Sequence, residues 1–470
     1  MPSGRIARLT LAALALAVAA APVWWWDGGL IEKESTHFVR QYLDERPLTR
    51  KVFDPYANDI GTYQARELSY FIDYVDALVL AALLGRDVVW LVPFSALMAA
   101  GLTVLAFTAF AGRVFPRIPP VTATLALLLY LTNHVFSVTT AVYYRSSKPL
   151  LPPLIVTAAL YLMSTLRASP SGERRRQRAL TSRFVVTLML GSTMSLLDRQ
   201  GFFYAVLMAA TVALWHRARG HALDCVLGSA AAVVLMVLYN VLFGPWLVWA
   251  LNGYSPGFEY QRVDVQHLIR HPLHVVQAIR LLTQSTQVVL GSFPLWLYAA
   301  TAAIVIYWRR RHPSRTPRVA WRQRLREPVT RLVLLVAASQ VLMFALMIVR
   351  HAPIWDWADH RLWYYPLPFQ AFVLVALLLC IDVVLRRWPA IPRIAVNAVI
   401  VAMIAGNLAS WTSYRRVMLA APWFPGVHEQ STLLKRSLEE GNPLARLDAE
   451  YRTFYDFWTA RRADLGRPGG

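Results

Sequence analysis

The chain is poor in charge and in cysteine, and each shortage excludes something. Only 16% of its 470 residues are charged, against 56% hydrophobic. A soluble chain of that length needs far more charge to cover its surface. Its two cysteines, Cys225 and Cys380, both fall inside apolar runs, so neither a disulfide framework nor a cysteine metal site follows. Lysine is scarce, at four residues, and acids are outnumbered 27 to 48 by basic residues. No internal repeat is evident and no apolar run carries a buried charge relay, which weighs against an ion-coupled transporter.

What is abundant is apolar sequence. Runs of 18 or more residues recur along the whole length, which predicts an all-α polytopic membrane protein. We read about 11 transmembrane helices: 7–26, 88–111, 119–138, 149–166, 184–197, 202–215, 224–250, 287–307, 331–349, 363–385 and 393–411. The small residues of "AVAAA" give the first run a rival reading as a cleavable signal peptide. Its continuation into Trp24, Trp25 and Trp26 reads instead as a retained span ending in an interfacial aromatic belt.

Arginine sets the orientation. The loops on one side of these spans carry 24 arginines and four acids, while the other side carries 24 basic residues and 23 acids. The net charge of +21 therefore lies almost wholly on one face, the cytoplasmic one, and nucleic-acid binding loses its support. The N-terminus is then cytoplasmic and the C-terminus outside. Residues 1–411 form a transmembrane module with large external segments at 27–87 and 251–286. Residues 412–470 form a short external helical tail that packs on the outer surface.

The external segments hold the polar chemistry. "FDPYANDIGTYQARELSYFIDYVDA" (53–77) crowds five carboxylates beside an apolar run, where charge is costly. Pro55, Asn58 and Gly61 place Asp54 and Asp59 on a turn. From Thr62 the spacing predicts an amphipathic helix in the interface, with Ala65, Leu68, Ile72, Val75 and Val79 on one face and Tyr63, Arg66, Tyr70 and Asp73 on another. A turn aspartate there suits a general base or a divalent-cation ligand; its plainer reading is a helix cap. "AVYYRSSKPL" (141–150) puts Tyr143, Tyr144, Arg145 and Lys148 at one span mouth, where a cationic pair suits a lipid phosphate or serves as an interfacial anchor.

Three further stretches have two readings each. "LLDRQGFF" (196–203) carries Asp198 and Arg199, either at the same surface site or as a turn with a local ion pair. His267, His271 and His274 have a helical metal-binding spacing, but Pro272 interrupts it and an interfacial helix is the default. "HAPIWDWADHRLWYYPLPFQAF" (351–372) gathers Asp356, Asp359, His360 and Arg361 with Trp355, Trp357 and Trp363, which suits a stacked sugar or an aromatic belt.

These stretches resemble the GT-C glycosyltransferases, a membrane superfamily that includes the protein O-mannosyltransferases and the aminoarabinose transferases. "NDIGTYQARELSY" is similar to the family's first external loop, with an aspartate (Asp59), a tyrosine (Tyr63) and the run Ala65-Arg66-Glu67. "LLDRQGFF" is similar to its short turn between paired spans, and "DHRLWYYPLPFQAFVLV" to its late Arg-aromatic-Pro stretch.

The resemblance implies inverting transfer of a sugar from a polyprenyl-phosphate or diphosphate carrier to a glycan, lipid or protein acceptor on the external, periplasmic face. Asp59 would be the base with Asp54 as substitute. Arg145, Lys148, Arg199 and Arg361 would hold the donor phosphate. Tyr63, Glu67, Tyr143, Tyr144, Asp359, His360 and Trp363 would line the substrate. A divalent cation is the implied cofactor, yet the family's second acidic position falls on Ile60 and its next-loop aspartate on Lys148. That leaves the metal ligands unknown, and with them a metal-independent mechanism or a relative without activity. A transporter or flippase of a lipid-linked sugar, and a non-catalytic membrane scaffold, are the rival readings. Arginine's excess over lysine and the lack of eukaryotic sorting signals point to a bacterial inner membrane.

Overall fold

The computed structural model describes residues 3–53, 65–86, 88–143, 147–167, 173–219, 222–254, 367–387, 393–420 and 424–465, with isolated positions between 269 and 345. In chain order these form α1 (Ser3–Trp25), β1 (Leu30–Ile31), α2 (Lys33–Leu43), α3 (Leu48–Phe53), α4 (Glu67–Leu84), α5 (Phe94–Val114), α6 (Pro120–Leu131), α7 (His134–Ala141), β2 (Val142–Tyr143) and α8 (Ser147–Arg167). Then follow α9 (Glu173–Leu197), α10 (Arg199–Arg219), α11 (Leu223–Leu238), a π-helical turn (Tyr239–Phe243), α12 (Gly244–Asn252), α13 (Leu367–Arg387), α14 (Arg393–Ala420), α15 (Phe424–Glu440) and α16 (Ala449–Leu465).

The protein is an all-α membrane protein. Among the described residues, Phe94–Val114, Leu223–Asn252 and Leu367–Arg386 are long and apolar enough to cross a bilayer, and shorter apolar helices accompany them. Their outward faces carry Leu105, Met189, Val234 and Trp246, each more than half exposed, an arrangement suited to hydrocarbon and not to water. The run expected at 287–307 and most of 331–349 lie outside the described residues.

Two separate cores divide the molecule. One fills the helical bundle, around Phe107, Leu127, Leu151, Tyr204 and Leu378. The other sits at one end of the bundle, where α2 and α4 meet α15 and α16 around Ile31, Tyr42, Leu80, Leu434, Tyr451 and Phe454. At the bundle's opposite end Thr122 bonds Asn397, Arg183 bonds the Thr165 carbonyl and pairs with Asp224, and the Ala222 amide bonds His216. α14 runs without a break past residue 411 to Ala420.

Several expected elements take a different form, each for a local reason. The run 119–138 is two helices, α6 and α7. Asn133 caps α7 by accepting the Phe136 amide at 2.8 Å, which stops α6 at Leu131. The break frees backbone carbonyls inside the bundle, and Asn407 of α14 donates to the Leu129 carbonyl at 3.2 Å. Pro245 lacks an amide and crowds the preceding turn, so the chain widens to a π-turn in which the Gly244 amide bonds the Tyr239 carbonyl.

α4 differs in its start from the helix expected from Thr62. It begins at Glu67, not Thr62, and its N-cap residue is Arg66, whose side chain makes no capping bond. Glu67, Tyr70, Asp73 and Asp76 are buried, while Phe71 and Leu78 are exposed. The carboxylates face inward because protein groups wait there. Asp76 accepts the Ser95 amide at 2.8 Å and the Ser95 hydroxyl, capping the start of α5.

Candidate functional site

The described parts of three stretches singled out above, 65–77, 141–143 and 196–203, lie at the end of the bundle that carries the second core. α1 ends in a left-handed turn, with φ of 51° at Asp27, 82° at Gly28 and 92° at Gly29. A Cβ at Gly29 would overlap the Val92 side chain, so the chain reverses there only with glycine. The reversal lays β1 parallel to β2, with Leu30 opposite Val142 and Ile31 opposite Tyr143, and the Glu32 amide bonds the Tyr143 carbonyl at 3.2 Å. The start of the first large loop is thereby joined to the "AVYY" stretch. Tyr143 is buried between them.

A second junction joins the Ala65-Arg66-Glu67 run to "LLDRQG". Arg66 Nη1 lies 3.7 Å from Asp198 Oδ2, both side chains more than nine-tenths buried, and the guanidinium stands 5.7 Å from the Tyr70 ring centre. Asp198 is the single residue between α9 and α10, and it caps α10 by accepting the Gln200 amide at 2.8 Å. The hairpin is this tight because residue 201 is glycine: a Cβ there would overlap the Met194 carbonyl. Asp198 reaches across the fold to Arg66.

The described residues that flank 54–64 make contacts on both sides. Before it, Lys51 donates to the Asp44 carbonyl at 2.6 Å and lies 5.5 Å from the Tyr74 ring, with burial pushing its pKa down. Arg50 donates to the Asn252 carbonyl at 3.5 Å and stacks over Tyr254. Phe53 on one flank and Ala65 on the other belong to one apolar cluster with Val248 of α12. Nothing in the sequence named α12 as that partner.

The C-terminal helices close the site from above. Ser431 Oγ accepts the Ile31 amide at 3.0 Å and donates to the Ile31 carbonyl, which Tyr451 Oη also bonds at 2.9 Å. Lys435 Nζ donates to the Asp27 carbonyl at 2.6 Å and to that of Trp26, so a cation caps the end of α1. Burial holds its pKa down to about 8. Arg461 donates to the Leu43 carbonyl at 2.8 Å. Each of these side chains bonds a backbone group, so hydrophobic pattern alone reveals none of these bonds.

Of the expected site residues, Glu67 and Tyr143 are described and buried at this end. Lys148 and Arg199 are placed by backbone only, each in the first turn of its helix, α8 and α10. Asp54, Asp59, Tyr63, Tyr144, Arg145, Asp359, His360, Arg361 and Trp363 lie outside the described residues, as do His267 and His274. Among the described residues no group of three His, Cys, Asp or Glu side chains is placed to hold a metal ion. Comparison with family models, with curated proteins and with solved structures returns no match.

Proposed function

We propose that the chain is a GT-C-like membrane glycosyltransferase that moves a sugar from a polyprenyl-phosphate or diphosphate carrier to an acceptor on the external face of a bacterial inner membrane. The observation that carries this reading is the convergence at one end. Through the Arg66–Asp198 pair, two of the stretches that resemble the family meet at the end that the arginine count makes external, where β1–β2 also joins the start of the first loop to the "AVYY" stretch. The eleven-span topology, N-terminus inside and C-terminus outside, is part of the same proposal. It is supported by the contacts, since among the described residues segments assigned to one side by arginine count bond one another.

In this reading Asp59 takes the proton from the acceptor hydroxyl, with Asp54 as its substitute. The freed oxygen attacks the anomeric carbon, and the bond from that carbon to the phosphate oxygen breaks, leaving the charge on the lipid phosphate. Arg145 and Lys148 stabilise that charge, with Arg199 and Arg361 as further donors. Glu67, Tyr63, Tyr143, Tyr144, Asp359, His360 and Trp363 bind the sugar and its carrier. A bound divalent cation would help neutralise the phosphate.

The test is sugar release from a panel of radiolabelled polyprenyl-phosphate sugars, comparing wild type with Asp59→Asn and Arg145→Ala. The expected outcome is turnover that falls by at least about 100-fold in Asp59→Asn while lipid binding persists. A transporter of a lipid-linked sugar is the second reading, favoured by the broken helix α6–α7 with buried Thr132, Asn133 and Asn407, since discontinuous helices build transporter sites. Movement of labelled lipid across proteoliposomes without sugar release would select it.

A further inference from the structure

The break between α6 and α7 leaves a small cavity that the proposed transfer does not use. Thr103 of α5, Tyr130 of α6, Thr140 of α7, Pro149 and Pro152 of α8, and Leu367 of α13 line it. Its free space matches about one water molecule. Tyr130 is only 1% exposed, and its Oη makes no hydrogen bond with any protein group. A buried hydroxyl left without a partner costs on the order of 1–3 kcal/mol, which is unusual at a packed site.

Thr139 lines the cavity as well, and the other two threonines on its wall, Thr103 and Thr140, are arranged to accept, not to donate. Thr103 Oγ1 gives its proton to the Ala99 carbonyl at 2.7 Å, and Thr140 Oγ1 gives its own to the Phe136 carbonyl at 2.9 Å. Each oxygen keeps lone pairs and has no proton left to offer Tyr130. Tyr130, Thr103 and Thr140 thus present one donor and two acceptors around the gap. A water molecule complements that set, accepting from Tyr130 and donating to the two threonines.

We propose that this cavity is a built hydration site, in which one ordered water held by Tyr130, Thr103 and Thr140 bridges α5, α6 and α7 at the break. The water supplies the partner that Tyr130 lacks and ties α7 to the bundle just before β2. It is independent of the glycosyltransferase reading, because no step of the transfer passes through it.

The direct test is the structure of the full-length protein in lipid nanodiscs at a resolution that shows ordered water. The expected result is a solvent peak within hydrogen-bond distance of Tyr130 Oη in wild type, absent in Tyr130→Phe. An empty cavity, or xenon entering it under pressure, overturns the proposal, since only an apolar void stays dry and takes up xenon. Thermal unfolding gives a second readout. A bridging water predicts that Tyr130→Phe lowers Tm by about 2 °C and that adding Thr140→Val lowers it no further than the worse single variant. A dry cavity predicts the opposite sign, because Tyr130→Phe then removes an unpartnered hydroxyl and raises Tm.

Discussion

Gly201 and Lys435 show how single residues set this fold. At Gly201 the start of α10 passes so close to the end of α9 that any side chain meets the Met194 carbonyl. Backbone atoms cannot step aside as a flexible side chain can. Gly201→Ala is expected to destabilise the protein by about 3 kcal/mol or more, read as lost Tm in detergent, while Gly112→Ala, where a Cβ meets open space, changes it little. Lys435 acts through charge. Its pKa of about 8 lies below the ordinary lysine value of 10.5 because burial disfavours the ammonium. Between those two values the unfolded chain binds more protons than the folded one, so stability rises with pH across that window and is flat below it. Relative to Lys435→Met, wild type should therefore gain about 1–2 kcal/mol between pH 8 and pH 10, measured by thermal unfolding at each pH.

At the scale of elements, the informative feature is that polar groups face inward while apolar ones face out. α4 buries Glu67, Asp73 and Asp76 and exposes Phe71 and Leu78, which stands a water-facing helix on its head. Its entry is pinned by the Arg66–Asp198 pair. Removing one member of such a pair leaves a buried charge unpartnered, at about 3–5 kcal/mol, whereas removing both is far milder. Arg66→Ala and Asp198→Ala should each lower stability by that amount, and Arg66→Met with Asp198→Leu should recover most of the loss in a double-mutant cycle. The break at α6–α7 follows the same logic, since Asn407 satisfies a carbonyl that no water reaches. Asn407→Leu is expected to cost about 1–3 kcal/mol in the same measurement.

For the whole molecule, the two cores imply two units of different robustness. The bundle core is built from apolar helices in contact with each other. The second core depends on α15 and α16, whose Leu434, Tyr451, Phe454 and Trp458 cover α2 and α4. Deleting residues 424–465 exposes that surface and removes the bonds to Ile31, Asp27 and Leu43. Limited proteolysis of the truncated protein should then cut within α2 to α4 and spare α5 to α14. Equal resistance in the full and truncated proteins would show that the first loop stands without the tail.

The helical, membrane-embedded class of this protein was legible in the sequence, as were the approximate places of two spans, read at 88–111 and 224–250 and found at Phe94–Val114 and Leu223–Asn252, because apolar length and period depend only on neighbours along the chain. Asp198 and Arg66 each lie in a stretch singled out from the sequence, but their union was not legible there, since they stand 132 positions apart. The tertiary structure alone decided which face of α4 is buried, that Phe53 and Ala65 meet on α12, and that the tail closes the first loop. The first two rest on side chains far apart in the chain, and the closing by the tail rests largely on backbone carbonyls and amides as partners. Every residue carries such groups, so their use leaves no mark in composition or spacing and appears only when distant segments are brought together.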